Sequence, residues 1–189
     1  MEIEIDPYKK NFFRQRIIQW ASLNIRIFPW RVDRNFYKVL ISELFLQRTR
    51  VEQVLPVYNE FMDSFPTLKS LKAANPNEFG SYFEKLGLRK RYEYLKRILL
   101  EIEEISMDVN DVDENVLTKL TGIGKYTARA ILCFALNKKV ALVDSNIIRI
   151  LNRFFNYEPI CVPARSDKYL WKLAEDLLPD KDSDIYNYA

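Results

Sequence analysis

The sequence predicts an all-α protein. Apolar residues recur at helical spacing almost throughout its 189 residues. The one strand-like run, Lys138-Lys139-Val140-Ala141-Leu142-Val143, is too short to imply a sheet. Of only four glycines, Gly122 and Gly124 stand one residue apart between two helical patterns, as a tight turn between helices requires.

Taken in order, Tyr8 to Leu23 reads as a first helix. Ile25 to Arg31 reads as a loop, because a proline and the residue before it resist helix. Phe36 to Leu46 is a second helix. Val51 to Phe65 is a third, kinked or started late by Pro56. Short helices follow over Leu68 to Ala74 and Asn77 to Leu86, split by Asn75-Pro76. A long helix spans Arg91 to Ile105, with Leu95, Ile98, Leu99, Ile102 and Ile105 as its buried stripe. Glu114 to Leu120 and Gly124 to Leu136 flank the glycine turn; in the second, Thr127, Ala130, Ile131, Phe134 and Ala135 share a face. Ser145 to Phe155 and Ser166 to Leu178 complete the helices. No repeat, low-complexity tract or linker interrupts them.

Composition narrows the chemistry. A net charge of +3 does not by itself argue for nucleic acid, so any basic face must be local. The absence of histidine removes Ser-His-Asp and Cys-His schemes and histidine metal sites, leaving acid–base work to Asp, Glu, Lys or Tyr. Two cysteines, Cys133 and Cys161, cannot form a four-cysteine zinc or iron–sulfur site, and Cys133 falls on an apolar helical face as a reduced core residue. Met1 to Asp6 is not a signal peptide and no apolar run spans a membrane, so a cytoplasmic protein is expected, and it is expected to be a monomer.

The organising stretch is Leu120-Thr121-Gly122-Ile123-Gly124-Lys125-Tyr126-Thr127-Ala128. The amides of Gly124, Lys125 and Tyr126 open the next helix without intrahelical partners, a seat for an anion such as a DNA phosphate. Alone, a G-x-G is only a turn. Downstream stands Val143-Asp144-Ser145-Asn146-Ile147-Ile148-Arg149-Ile150-Leu151-Asn152-Arg153. Together the two runs resemble the helix-hairpin-helix DNA glycosylases of the endonuclease III superfamily. Their signature is L-x-G-[IV]-G-x-x-T-A, then V-D-x-x-x-x-R-[IV]-x-x-R, and every fixed position matches.

The resemblance implies one glycosylase unit over 1–189, in two helical lobes with a cleft between them: 30–137, bearing the hairpin, and 1–29 with 138–189. It also implies roles for individual residues. Asp144, placed to cap the helix from Ser145, matches the family's essential carboxylate; a bare aspartate there is otherwise just a cap. Such a carboxylate stabilises the positive charge that builds on the sugar as an N-glycosidic bond breaks. Glu43 sits in Ser42-Glu43-Leu44-Phe45-Leu46-Gln47-Arg48-Thr49, which resembles the S-E-x-x-L-Q-x-T run of the adenine glycosylases and the equivalent run of the thymine glycosylases. There the glutamate lines the base pocket and moves protons; read without the family, one glutamate on an apolar helix is a solvated position. Phe28-Pro29-Trp30-Arg31 matches both branches too.

Position 126 separates chemistries. Bifunctional glycosylase/lyases hold a Schiff-base lysine there; this chain has Tyr126, as the thymine branch does. Lys125 points about 100° away around the helix and is a poor substitute. Base excision without strand cleavage is therefore expected, with Tyr126 in the site or as no more than its aromatic wall. For DNA contact, the candidates are the tip Gln47, Arg48 and Thr49, which in relatives enters the duplex, and Arg89 and Lys90 of a basic run. The hairpin adds Gly122, Gly124, Lys125 and Thr127. The tip also reads as a helix end with a favourable arginine, and the basic run as solvated surface. Arg149 and Arg153 read first as salt-bridge residues.

The expected activity is removal of mismatched thymine, or uracil, opposite guanine, from double-stranded DNA carrying a mismatched or damaged base. An adenine glycosylase is the first alternative, though no C-terminal domain that would read 8-oxoguanine follows here. A non-catalytic helix-hairpin-helix DNA-binding module is the second. Both branches commonly continue into four cysteines holding an iron–sulfur cluster. With only two cysteines, these residues are expected to hold no metal or cofactor, and a cluster is possible only if the natural chain continues past Ala189.

Overall fold

A computed structural model describes residues 5–104 and 112–189. It contains helices α1 (Pro7–Asn24), α2 (Pro29–Val32), α3 (Phe36–Leu46), α4 (Val51–Ser64), α5 (Leu68–Ala73), α6 (Pro76–Lys85), α7 (Arg89–Glu104), α8 (Glu114–Thr118), α9 (Lys125–Phe134), α10 (Ser145–Phe155), α11 (Lys168–Asp176) and α12 (Ser183–Tyr188), with no strand among the described residues. Ile105, expected on the α7 stripe, lies outside the described residues. No described helix is long and apolar enough to cross a membrane. The chain divides into two compact units, Ile27–Leu136 and Met1–Arg26 with Asn137–Ala189.

The first unit is built on α3. Asn35 caps its start, accepting from the Lys38 amide, and Tyr37 through Phe45 is buried throughout apart from half-buried Lys38. A helix apolar all round must be covered all round, and α4 and α9 pack against it. Phe45 meets Phe61 and Phe83 edge-on, with ring centroids 5.4 and 4.9 Å apart. Burying each such ring stabilises the unit by about 1.5–3 kcal/mol.

Three local expectations are corrected here. The predicted loop over Ile25 to Arg31 runs into α2: Pro29 at the first helical position loses an amide that no helix start uses, so it opens a turn instead of barring one. Pro56 does not delay α4, which runs from Val51 with Val54, Val57, Tyr58 and Phe61 buried; their packing outweighs one lost backbone bond. The face proposed for α9 is too narrow, since Ala128, Leu132 and Cys133 are buried as well, while Ala135 is half-buried.

In the second unit Phe13, Leu151, Leu170, Leu177 and Leu178 form the core. Arg14 closes the end of α11, donating to the carbonyls of Asp176, Leu177 and Leu178 at 2.9, 2.9 and 2.6 Å. The run before Asp144 needs no sheet because side chains serve its backbone. Asn187 of α12 accepts from the Leu142 amide at 3.1 Å and donates to the Val140 carbonyl at 3.0 Å, and Glu175 accepts from the Ala141 amide at 3.3 Å. The predicted helix from Ser166 is instead a short turn, Ala164–Ser166, and then α11, because Asp167 caps a fresh start.

Asp167 is 1% exposed. It accepts from the Tyr157 hydroxyl at 2.5 Å and from the Ile160, Tyr169 and Leu170 amides at 2.9, 2.9 and 3.4 Å. Burial alone raises its pKa, but these four donors outweigh burial and hold it below the ordinary carboxylate value. A depressed folded pKa stabilises the protein above the unfolded-chain value of 3.8 and loses that contribution as pH falls through the folded one. Asp167→Ala strands these donors and is expected to cost about 3 kcal/mol in urea unfolding at neutral pH, with the gap from wild type narrowing in acid.

Candidate active site

The hairpin is a rigid turn. Asp113 caps α8 by accepting from the Val116 amide at 2.8 Å. Leu117, Leu120 and Ile123 are buried, and the Ile123 amide donates to the Leu120 carbonyl at 3.1 Å. Arg129 of α9 pairs with Glu114 of α8 at 2.6 Å. From α7, Glu101 accepts from the Thr121 amide at 2.6 Å and from its hydroxyl.

The two glycines serve different ends. Gly122 has φ +79°, and a Cβ there would lie 2.2 Å from the Tyr94 ring. Gly124, contrary to expectation, needs no special angle: it is extended at φ −87°, caps α9 without a side chain, and has open space where a Cβ would stand. Both are exposed, and no acceptor meets either amide among the described residues. That bare ground at the head of α9 is where an anion fits. Gly122→Ala is expected to lower stability by about 2 kcal/mol or more, through the left-handed angle and the Tyr94 clash. Gly124→Ala is expected to cost at most about 1 kcal/mol yet weaken duplex binding, which thermal melting beside a gel-shift titration separates.

Lys125 and Tyr126 follow exposed, Tyr126 at 37%. Thr127 does not: it is buried and its hydroxyl accepts from the Gln47 side-chain amide at 3.5 Å. Arg89 and Lys90 are exposed in the first turn of α7, where cations oppose the helix dipole. The Lys90 ammonium sits 5.7 Å from the Tyr94 ring, which itself backs Gly122, so this cation adjoins the hairpin.

Glu43 is no solvated position. It is 9% exposed on α3 among Ile41, Leu44 and Phe45, and burial pushes its pKa up to about 7. At the end of α3, Arg48 is exposed with φ +64°, and Gln47 and Thr49 are half-buried beside it.

In the other unit, Asp144 caps α10. One carboxylate oxygen accepts from the Asn146 and Ile147 amides, both at 2.8 Å, and the other from the Asn146 side chain at 3.2 Å. The salt bridges expected of Arg149 and Arg153 are absent among the described residues; Arg149 instead donates to the Asn146 side chain at 2.7 Å. Asn146 stands two residues past the cap, in the first turn of α10. Glu101 carries no sequence signal, standing twenty positions from the turn it holds. Cys133 is fully buried and Cys161 half-buried, and two such thiols supply no four-thiolate set for a cluster.

Residues 41–176 match the HhH-GPD superfamily of base excision DNA repair proteins. The chain belongs to that superfamily. This HhH-GPD chain is 32% identical over 180 residues to a thymine/uracil-DNA glycosylase of Methanothermobacter thermautotrophicus, covering 90% of itself and 77% of the relative. It is 31% identical over 176 residues to an adenine DNA glycosylase of Buchnera aphidicola subsp. Schizaphis graminum, covering 93% of itself but only 51% of that protein. Its fold superposes on a solved thermostable thymine-DNA glycosylase with a TM-score of 0.82 at 28% identity, over 96% of this chain and 83% of that one. The all-α, endonuclease III-like fold with its helix-hairpin-helix motif is thus shown.

Proposed function

We propose that this HhH-GPD protein is a monofunctional DNA glycosylase that removes thymine or uracil mispaired with guanine. The observation that carries the reading is the Asp144 carboxylate, pinned at the head of α10 by three hydrogen bonds. A fixed negative charge costs no reorganisation when a neighbouring sugar turns cationic. Hairpin amides and nearby lysines hold the phosphates of double-stranded DNA, bound by one copy of the chain. The mispaired nucleotide is extruded at lower cost than a paired one. As its glycosidic bond breaks, Asp144 stabilises the sugar and water adds to C1′. Glu43, whose pKa lies near neutrality, moves the proton of base or water. Tyr126 in place of a Schiff-base lysine ends the reaction at the abasic site. The names of a relative and of a solved neighbour favour thymine and uracil.

A second reading, adenine excision, draws on Ser42-Glu43, Leu46-Gln47 and the adenine glycosylase relatives. The deciding experiment incubates the protein with duplexes holding G·T, G·U, A·G or A·8-oxoguanine and then heats them in alkali. Alkali-dependent cutting at G·T and G·U is expected. Preference for A·G promotes the adenine reading, cutting before alkali refutes the monofunctional assignment, and no base release leaves only a binding module.

A further inference from the structure

The basic run Arg89-Lys90-Arg91 divides: its first two members are exposed and the third turns inward. The Arg91 Nε donates to Gln47 Oε1 at 2.9 Å, and Gln47 Nε2 donates to the Thr127 hydroxyl at 3.5 Å. An amide has an accepting and a donating end, and a guanidinium only donates. Arg91 therefore decides which way the Gln47 amide faces, and Thr127, sealed on α9, takes the other end. Two elements far apart in sequence, α7 and α9, thus hold Gln47, the first side chain of the tip. The next residue, Arg48, stands at φ +64°, and the Thr49 amide closes the turn on the Leu46 carbonyl at 3.3 Å. A non-glycine residue holds a left-handed angle only when its surroundings impose it. With Gln47 anchored inside, Arg48 is the side chain the tip presents.

We propose that Arg91 is a positioning residue: by clamping Gln47 it sets the strained turn that presents Arg48 to the gap left by an extruded nucleotide. This rests on the reading of the chain as a base-extruding glycosylase. It separates Arg91 from its two neighbours, whose exposure suits phosphate contact.

The test compares wild type, Arg91→Ala, Arg91→Lys, Arg48→Ala and the Arg91→Ala/Arg48→Ala pair. Each is measured for excision from the preferred mismatched duplex, for thermal melting, and for the fluorescence rise of 2-aminopurine placed beside the mismatch. Arg91→Ala is expected to lower kcat/KM by about ten- to a hundredfold, as misplaced binding groups do. It should also blunt the fluorescence rise, and Arg91→Lys, which still donates one hydrogen bond, should restore part of both. On the Arg48→Ala background the same change should cost little more, because both act through one tip. Losses that multiply in the pair make Arg91 an independent contact and overturn the proposal. So do a drop in melting temperature that accounts for the loss, and an Arg91→Ala protein equal to wild type in both readouts. If wild type raises the fluorescence that Arg91→Ala blunts, yet releases no base, the glycosylase reading fails while the positioning role stands. If wild type releases base without raising the fluorescence, the positioning role fails while the glycosylase reading stands, and if it does neither, both fall.

Discussion

Asp144→Asn is expected to abolish base release while leaving duplex binding and the fold intact. The substitution is nearly isosteric, and asparagine is as good a helix cap as aspartate. Its side-chain oxygen can keep the two backbone bonds from Asn146 and Ile147 that now hold Asp144. What disappears is the charge. A carboxylate held still opposite a developing cation acts mainly in the transition state, so its loss falls on the rate and not on affinity. Removing one such preorganised group typically costs 10²–10³ in rate, and here, where the whole charge is removed, about 10³-fold or more is expected. Single-turnover excision and a gel-shift titration of the same duplex read the two quantities apart. Asp144→Ala is the less informative variant, since losing the cap costs about 1 kcal/mol of stability on top of the charge. Normal excision by Asp144→Asn would remove Asp144 from the chemistry and leave it the cap it also is.

The contrast between Asp144 and Glu101 shows which parts of such a site can be read from a sequence. Local signals placed some elements well. The helical spacing from Phe36, and Asp144 ahead of Ser145, place the starts of α3 and α10 where the structure has them. The two glycines announce the hairpin, although only one of them, Gly122, is there for its backbone angle. Groups that act across the chain left no mark. Glu101 holding Thr121, Arg91 holding Gln47 and Asn187 holding the run before Asp144 are ordinary polar residues whose meaning is their distant partner. Burial was ambiguous for a related reason: a glutamate on an apolar helix is solvated if one face is free, and α3 has none. Proline was misread at Pro29 because its effect depends on position within the turn, which the residue type does not carry.

Glu43→Gln is expected to inactivate the protein and, above neutral pH, to stabilise it. The stability sign follows from burial. The folded pKa of Glu43 is raised from 4.5 to about 7 by desolvation. Below 4.5 the group is protonated in both states and costs nothing. Between the two values the folded protein holds a proton that the unfolded chain has released, so stability falls as pH rises, and above 7 the full penalty of a buried charge remains. At 1.36 kcal/mol per pKa unit that penalty is of order 3 kcal/mol. Glutamine fills the same space without ionising. Urea unfolding of the two proteins should therefore nearly coincide at pH 4.5 and diverge in favour of Glu43→Gln by pH 8. Activity should run the other way. The amide neither gives nor takes a proton near neutrality, so excision should be lost at every pH. In wild type the rate should bend near pH 7, falling as pH rises if Glu43 protonates the departing base and rising if it takes a proton from water. Equal pH dependence of stability in the two proteins would mean that Glu43 ionises in solvent. A side chain that stabilises the fold when replaced and stops the reaction when replaced is kept for its proton alone, and the interior of α3 is where that proton can be held near neutral pH.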